Sequence, residues 1–415
     1  MLFDVNNYNT IFLFCAFIIV ALMLLLLLRK KCTTLLDPLS LHIIWISGHI
    51  AFLLAFILKN GFEILPCFFL INLLIYIRVL MAYPVLNRSS IINSSIQILK
   101  VKRTKIFFLY LITLILNFIS RINLFKYMIS HPSMESWFQY RFIELLGRDP
   151  LLRILLIGSS IYFYFFSFIL LFFIKKHRIL VISMILFMLI LGIISGGRSS
   201  LLAILIFLGM FLFYFDLTKK YAKRINLWGI LGLISALLVA AFVSSKYSQG
   251  DTIQDGITMV VNRVAAVADG LEYYMKYDGY ENIKSGLHAY FLSIFGIYLH
   301  ILGGFEYKNV GTQLTELVIG NVSYAQGANY TFLLQIMVIG YYVFIIYTPL
   351  IAYFAMKLRY NIPNQLKRLP LSYFLSSSCF LIVTDIEYGI LVLVSGILFY
   401  ILFLYPVLNF NFKNR

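Results

Sequence analysis

Charge is scarce in this chain. Of its 415 residues only 12% are Asp, Glu, Lys or Arg, while 61% are hydrophobic. Soluble domains carry about a quarter charged residues, so a soluble globular class is excluded and a polytopic membrane protein is indicated. Cysteine is equally sparse. Cys15, Cys67 and Cys379 fall in apolar runs and Cys32 beside a basic stretch, which offers neither a disulfide framework nor metal-ligand spacing. The signatures GxxxxGK(S/T), HExxH and GxSxG are all missing, so nucleotide-loop, zinc-protease and serine-hydrolase chemistry lack their usual residues. The opening MLFDVNNYNT has no basic residues, and Arg29-Lys30-Lys31 follows the first apolar run instead. That polarity is wrong for a cleaved signal peptide and suits a first helix inserted with its N-terminus outside.

Acids are the rarest charge, 17 against 34 Lys and Arg, for a formal net charge of +17. In a soluble protein that excess would suggest nucleic acid. Here it is assigned to loops facing anionic headgroups, and no nucleic-acid partner is expected.

What the chain has in abundance is long apolar runs. About eleven spans (ten to twelve) are predicted, near 8–28, 40–58, 64–82, 106–120, 151–174, 179–194, 201–215, 226–243, 330–356, 370–384 and 388–408. The expected fold is all-α and polytopic. Residues 1–243 form an N-terminal bundle of about eight spans, 244–329 a large folded outer loop, and 330–415 the C-terminal helices. With the N-terminus outside, the inner segments hold 21 Lys and Arg but only two acids, Asp37 and Asp216. The positive-inside rule therefore predicts a C-terminus in the cytoplasm. Residues 285–305 are apolar enough to span but would reverse that balance, so this segment is expected to be re-entrant or interfacial, with His288 near water.

Three outer features carry candidate chemistry. The first is the turn Gly197-Arg198-Ser199-Ser200, between the runs 179–194 and 201–215. A guanidinium beside a helix N-terminus that Ser199 or Ser200 could cap makes a phosphate-binding corner, or an arginine snorkelling to lipid phosphates. The second is 257–276, apolar at 257, 260, 264, 267, 271 and 274, which predicts an amphipathic helix on the membrane surface. Arg263 falls at the rim of its apolar stripe, where it could bind phosphate or simply anchor the helix, and Asp269, Glu272 and Lys276 project toward the wet side. The third is Gly327-Ala328-Asn329-Tyr330-Thr331-Phe332, opening the ninth span. Gly327 permits close backbone approach, and Asn329 offers hydrogen bonds of the kind that recognise sugars. The acids Asp385 and Glu387 share one outer turn, where a solvated pair is the simpler reading and no metal is assigned.

Together these features resemble the Wzy-type oligosaccharide repeat-unit polymerases, which include bacterial O-antigen polymerases. The resemblance rests on the many spans, the Gly197–Leu202 turn, the long outer loop and the Gly327–Phe332 segment followed by Gly340-Tyr341, and it covers about residues 190–345. It implies the membrane glycosyltransferase class of GT-C type. It also implies action at the outer leaflet of the bacterial inner membrane on oligosaccharides carried by undecaprenyl pyrophosphate, with no cofactor. A chain-length regulator and a flippase of the same pathway are implied as partners. Arg198 and Arg263, with Ser199, Gly327 and Asn329, would bind the pyrophosphate and sugar. Asp269, Glu272 and His288 are the candidates for base or hydrogen-bond acceptor toward the attacking hydroxyl. Two other classes stay open: another lipid-carrier-dependent glycosyltransferase, such as an O-antigen ligase, and a flippase or transporter of the same lipid-linked unit.

Overall fold

The structure is a computed structural model, and it describes residues 8–85, 103–133, 136–137, 140, 150–175, 177–195, 197, 200–247, 266–303, 308–320, 328–361 and 365–409. Among these residues every regular element is helical. The chain begins with α1 (Thr10–Leu27), whose first turn is capped by the Asn9 side chain accepting from Phe12 N, and α2 (Pro38–Asn60), capped by Asp37 with Pro38 in the first turn. Gly61, at φ +91°, ends α2 and lets the chain reverse into α3 (Ile64–Ala82).

Next come α4 (Arg103–Ile119) and α5 (Ile122–Ser130), bent by 44° at their junction, then α6 (Pro150–Ile169), which continues as a π-helical turn over Leu170–Ile174. Lys175 and His177, both left-handed, reverse the chain into α7 (Arg178–Ile194). The helices α8 (Ser200–Tyr214) and α9 (Thr218–Tyr247) follow. The loop and C-terminal regions hold α10 (Asp269–Lys276), a single turn at Gly279–Asn282, α11 (Leu287–Gly303), α12 (Val310–Ile319), α13 (Phe332–Ile339), α14 (Phe344–Arg359), α15 (Leu369–Ser377), α16 (Leu381–Thr384), α17 (Ile386–Phe399) and α18 (Tyr405–Asn409).

Among the described residues six helical stretches are long and apolar enough to cross a membrane: Pro38–Asn60, Ile64–Ala82, Ile154–Ile174, Lys223–Val243, Tyr341–Arg359 and Ile386–Asn409. The bent pair α4–α5, taken as one span, makes a seventh. Shorter apolar helices lie at Ile11–Leu27, Arg178–Ile194, Ser200–Tyr214, Leu287–Gly296 and Leu369–Thr384. The chain is an all-helical polytopic membrane protein.

One expected span is not a single helix. Residues 330–356 divide at Gly340, whose φ of +135° disfavours any other residue, into α13 and α14. Their direction is read against α3. Phe332 at the start of α13 packs on Tyr76 (4.9 Å between ring centroids), while Phe344 at the start of α14 packs on Phe68 (5.1 Å). Tyr76 and Phe68 are eight residues apart, about 12 Å along a helix. So α13 starts deep beside α3 and climbs toward the α2–α3 turn. The chain then turns, and α14 runs back, with Thr348 donating to Asn72 Oδ1 at 2.7 Å one turn on. This makes α13 a re-entrant half-helix.

The two ends of the bundle around α2, α3 and α14 differ in chemistry. At one end Arg359 pairs with Asp37, and Lys31 donates to the carbonyls of Leu80 (2.5 Å), Met81 (2.7 Å) and Tyr83. The other end carries Tyr8, Lys59 and the turn at Gly340. Elsewhere α4 and α6 are joined by Asn117 Nδ2 donating to Ser160 Oγ at 2.8 Å. The Tyr162 hydroxyl of α6 donates to the Gly396 carbonyl of α17 at 3.0 Å.

Candidate functional site

Most of the second half of the amphipathic segment does not face water; residues 268–274 are buried and Lys276 is exposed, as expected. Val267 packs on Gly48, midway along α2, where an added Cβ would come 3.6 Å from it. The chain thus enters the bundle at 266–268, and α10 rises from there toward Tyr8. Asp269 and Glu272, expected on a wet face, are buried at 6% and 3% exposure. The physical reason is that α10 is covered: Asp269 meets Asn329, Glu272 meets Tyr8, α12 packs alongside, and the turn at 266–268 that leads into α10 rests on α2.

Asp269 opens α10. Its Oδ1 accepts from Gly270 N (2.7 Å), from Asn329 N (2.8 Å) and from Asn329 Nδ2 (2.8 Å). A carboxylate in the first turn is also favoured by the helix dipole. Close approach depends on Gly270, where a Cβ would lie 2.1 Å from the Asn329 carbonyl oxygen. Ala328, the next residue back, donates to the Gly311 carbonyl and to Thr315 Oγ1 of α12, both at 3.0 Å. The segment 328–331 ahead of α13 is therefore held between α10 and α12. Asp269, the first residue of α10, and Asn329, two residues ahead of Thr331 at the N-cap of α13, thus form one part-buried carboxylate–amide pair.

Glu272, one turn further along α10, has other partners. Its Oε1 accepts from the Tyr8 hydroxyl at 2.7 Å and from Lys276 Nζ. The Tyr8 ring in turn lies 5.2 Å from Lys59 Nζ and 5.3 Å from Lys276 Nζ. His288 is exposed in the first turn of α11 and makes no hydrogen bond to either carboxylate. α11 itself is tied by Gly286 N donating to the Val338 carbonyl (2.7 Å) and by Tyr290 to the Tyr347 hydroxyl (2.9 Å).

Of the residues singled out from sequence, the structure thus unites Asp269 with Asn329, gives Glu272 to a separate cluster and leaves His288 apart. Arg198, Ser199, Arg263 and Gly327 lie outside the described residues. Ser200 does not cap α8 from outside; it is the first helical residue, and its hydroxyl donates to the Gly197 carbonyl at 2.8 Å.

The paired acids Asp385 and Glu387 serve backbone groups. Asp385 caps α17 by accepting from Tyr388 N at 3.0 Å, and Glu387 Oε1 accepts from Val310 N at 3.2 Å. Burial pushes the Asp385 carboxyl above its ordinary range, against the opposing pull of the Tyr388 and Glu387 N–H groups. Among the described residues no group of three or more His, Cys, Asp or Glu is placed to hold a metal ion.

Sequence reasoning missed several polar residues of the interior. His42 Nε2 pairs with the Tyr76 hydroxyl at 2.9 Å, and His49, one heptad on, is wholly buried. Gln335 of α13 accepts from Tyr347. The signal for the histidines was present, since ionisable residues inside apolar spans are costly and seldom idle. Tyr8 carried no such signal.

Comparison with known proteins finds no family model, no curated protein and no solved structure that matches this chain.

Proposed function

We propose that this chain is a membrane glycosyltransferase that joins oligosaccharide repeat units carried on undecaprenyl pyrophosphate, a polymerase of O-antigen or a related surface polysaccharide. The observation that carries the reading is the Asp269–Asn329 pair. Two segments chosen for their chemistry, 60 residues apart, meet at one part-buried point, at the start of α10 and just ahead of α13. The proposed setting is the bacterial inner membrane, in the GT-C-like class. The reading has eleven crossings, with the N-terminus in the periplasm and the C-terminus in the cytoplasm: the six long stretches, the bent pair α4–α5 and the shorter helices at Ile11–Leu27, Arg178–Ile194, Ser200–Tyr214 and Leu369–Thr384 cross, while Leu287–Gly296 and the re-entrant α13 do not.

In this reading the acceptor sugar hydroxyl oxygen attacks the anomeric carbon of the donor chain, and the bond from that carbon to the pyrophosphate oxygen breaks. The hydroxyl proton passes to Asp269, oriented by Asn329, and the lipid pyrophosphate leaves with its charge stabilised by Arg198 and Arg263. Glu272 is assigned to holding α10 through Tyr8 and Lys276, and His288 to neither role. A chain-length regulator and a flippase would act beside it.

A second reading, transport of the same lipid-linked unit, is favoured by one observation. A re-entrant half-helix that begins within a bundle is the way transporters build substrate sites. Deleting the gene in its host and displaying the surface polysaccharide on a gel separates the two. The polymerase reading expects a ladder collapsed to core plus a single repeat unit, restored by the intact gene but not by Asp269→Asn. Loss of even the single unit would overturn it in favour of export or ligation of the same lipid-linked unit.

A further inference from the structure

Gln335 is wholly buried on α13, and its amide is only half used. Its Oε1 accepts from the Tyr347 hydroxyl of α14, while its Nε2 has no partner. Because Tyr347 gives its proton to Gln335, the Tyr290 hydroxyl of α11, 2.9 Å away, is the donor to Tyr347. One hydrogen-bonded file thus runs from α11 through α14 to α13 and ends on two idle N–H groups.

Buried polar atoms are paired with few exceptions, and each exception calls for a reason. A second exception lies close by. The Tyr330 hydroxyl, 2% exposed, is an electrostatic neighbour of Ser293, Tyr290, Glu387 and Asp385, and it makes no well-formed hydrogen bond. The Ser293 hydroxyl turns instead to the Tyr290 carbonyl at 2.7 Å. Tyr290 and Tyr347 are only part-buried, so the file reaches the surface at the seam between α11 and α14. Its inner end adjoins the candidate site. Gln335 is about 6 Å along α13 from Thr331, and Asn329, which holds Asp269, stands two residues further back.

The chemistry of these groups narrows what they can take. Idle N–H donors repel a metal cation, and the carboxyls beside the Tyr330 hydroxyl disfavour a phosphate. What remains is an uncharged ligand rich in oxygen acceptors. Three tyrosines, each an apolar ring with a polar tip, suit a sugar, whose ring carries apolar C–H faces and a polar rim.

We propose that Tyr290, Tyr330, Gln335 and Tyr347 form a sugar-binding site between α11, α13 and α14, closed in this structure and entered through the α11–α14 seam. It rests on the polymerase reading and adds to it the place where a sugar of the lipid-linked unit is held beside Asp269.

The test titrates the full chain in phospholipid nanodiscs with two probes, the lipid-linked repeat unit extracted from the deletion strain and bare polyprenyl diphosphate, and reads binding by native mass spectrometry. Two variants are set against the parent. Tyr330→Phe removes a hydroxyl that makes no well-formed bond, and Gln335→Leu with Tyr347→Phe removes both partners of one bond, so both should unfold close to the parent temperature. The expected result is binding of the repeat unit weakened about tenfold or more in both variants, a loss on the scale of one hydrogen bond, with the bare diphosphate bound as before. Unchanged binding of both probes would overturn the proposal and leave the idle amide to a buried water. Equal weakening of both probes would overturn it as well, and assign the file to the packing of α13. The two readings fail separately. A parent protein that does not bind the repeat unit removes the polymerase reading and the site with it, whereas a parent that binds it no better than the variants removes only the site.

Discussion

Arg359 and Asp37 meet as a two-pronged ion pair, Nη1 to Oδ1 at 2.6 Å and Nη2 to Oδ2 at 2.7 Å, with neither side chain exposed. The guanidinium also lies 3.7 Å from the Phe213 ring centroid and reaches the Lys31 carbonyl at 3.3 Å. The pair thus binds the α1–α2 turn, the end of α14 and the end of α8 into one junction. Asp37 meanwhile caps α2 through Leu39 N at 2.9 Å.

Arg359→Ala should leave a buried carboxylate unpaired and cost about 3–5 kcal/mol. A double variant, Asp37→Asn with Arg359→Met, should recover much of that loss, because no lone charge remains. Thermal unfolding in detergent measures both. A double variant no more stable than Arg359→Ala alone would show that the lost stability comes from packing on Phe213 rather than from charge.

Asp269 and Glu272 sit one turn apart but should behave differently. Asp269→Asn keeps an oxygen for the Asn329 and Gly270 N–H groups while losing the negative charge. Chain elongation should fall by about a hundredfold or more, with protein abundance near normal. Glu272→Gln should instead lower the unfolding temperature and preserve elongation. Gel ladders and immunoblots of membranes from complemented strains read the two effects side by side.

Gly270→Ala probes contact without touching chemistry. Its Cβ would fall 2.1 Å from the Asn329 carbonyl, so α10 and the re-entrant segment must part. The expected cost is about 1–3 kcal/mol from overpacking, with elongation lost although every acid is intact. Full elongation in this variant would detach Asn329 from the site.

Asp385 gives a pH test with a definite sign. Its folded pKa is raised by burial, so its contribution to stability is complete below the ordinary carboxylate pKa of about 3.9 and is lost as pH rises through the raised value. Asp385→Asn keeps an oxygen to cap α17 but never ionises. Its unfolding temperature should match the parent near pH 4 and exceed it at pH 7. A variant less stable than the parent at pH 7 would mean that the charged form is the one the fold prefers.

Hydropathy alone located α2, α3, α6 with its π-helical turn, and the stretch Ile386–Asn409 to within a few residues, because a membrane-crossing helix is a matter of length and composition. It failed at 330–356, where an unbroken apolar run conceals a change of direction at Gly340. Hydropathy counts side chains and is blind to a backbone φ of +135°. The helical wheel correctly gathered Asp269 and Glu272 on one side of 257–276, but a wheel cannot say what covers that side. The assumption of water failed because 328–331, α12 and Tyr8 come from distant parts of the chain. His42 and Asn72 were legible as polar residues inside apolar spans. Their partners, Tyr76 and Thr348, were not, since pairing across helices depends on packing rather than local order.

Glu272 holds the Tyr8 hydroxyl, and Asp269, on the preceding turn of the same helix, holds Asn329. Tyr8, just ahead of α1, is therefore mechanically continuous with the carboxylate that holds the segment leading into α13. A push on the Tyr8 ring would be felt at Asp269, one helical turn away, before it reached any other part of the bundle's polar interior.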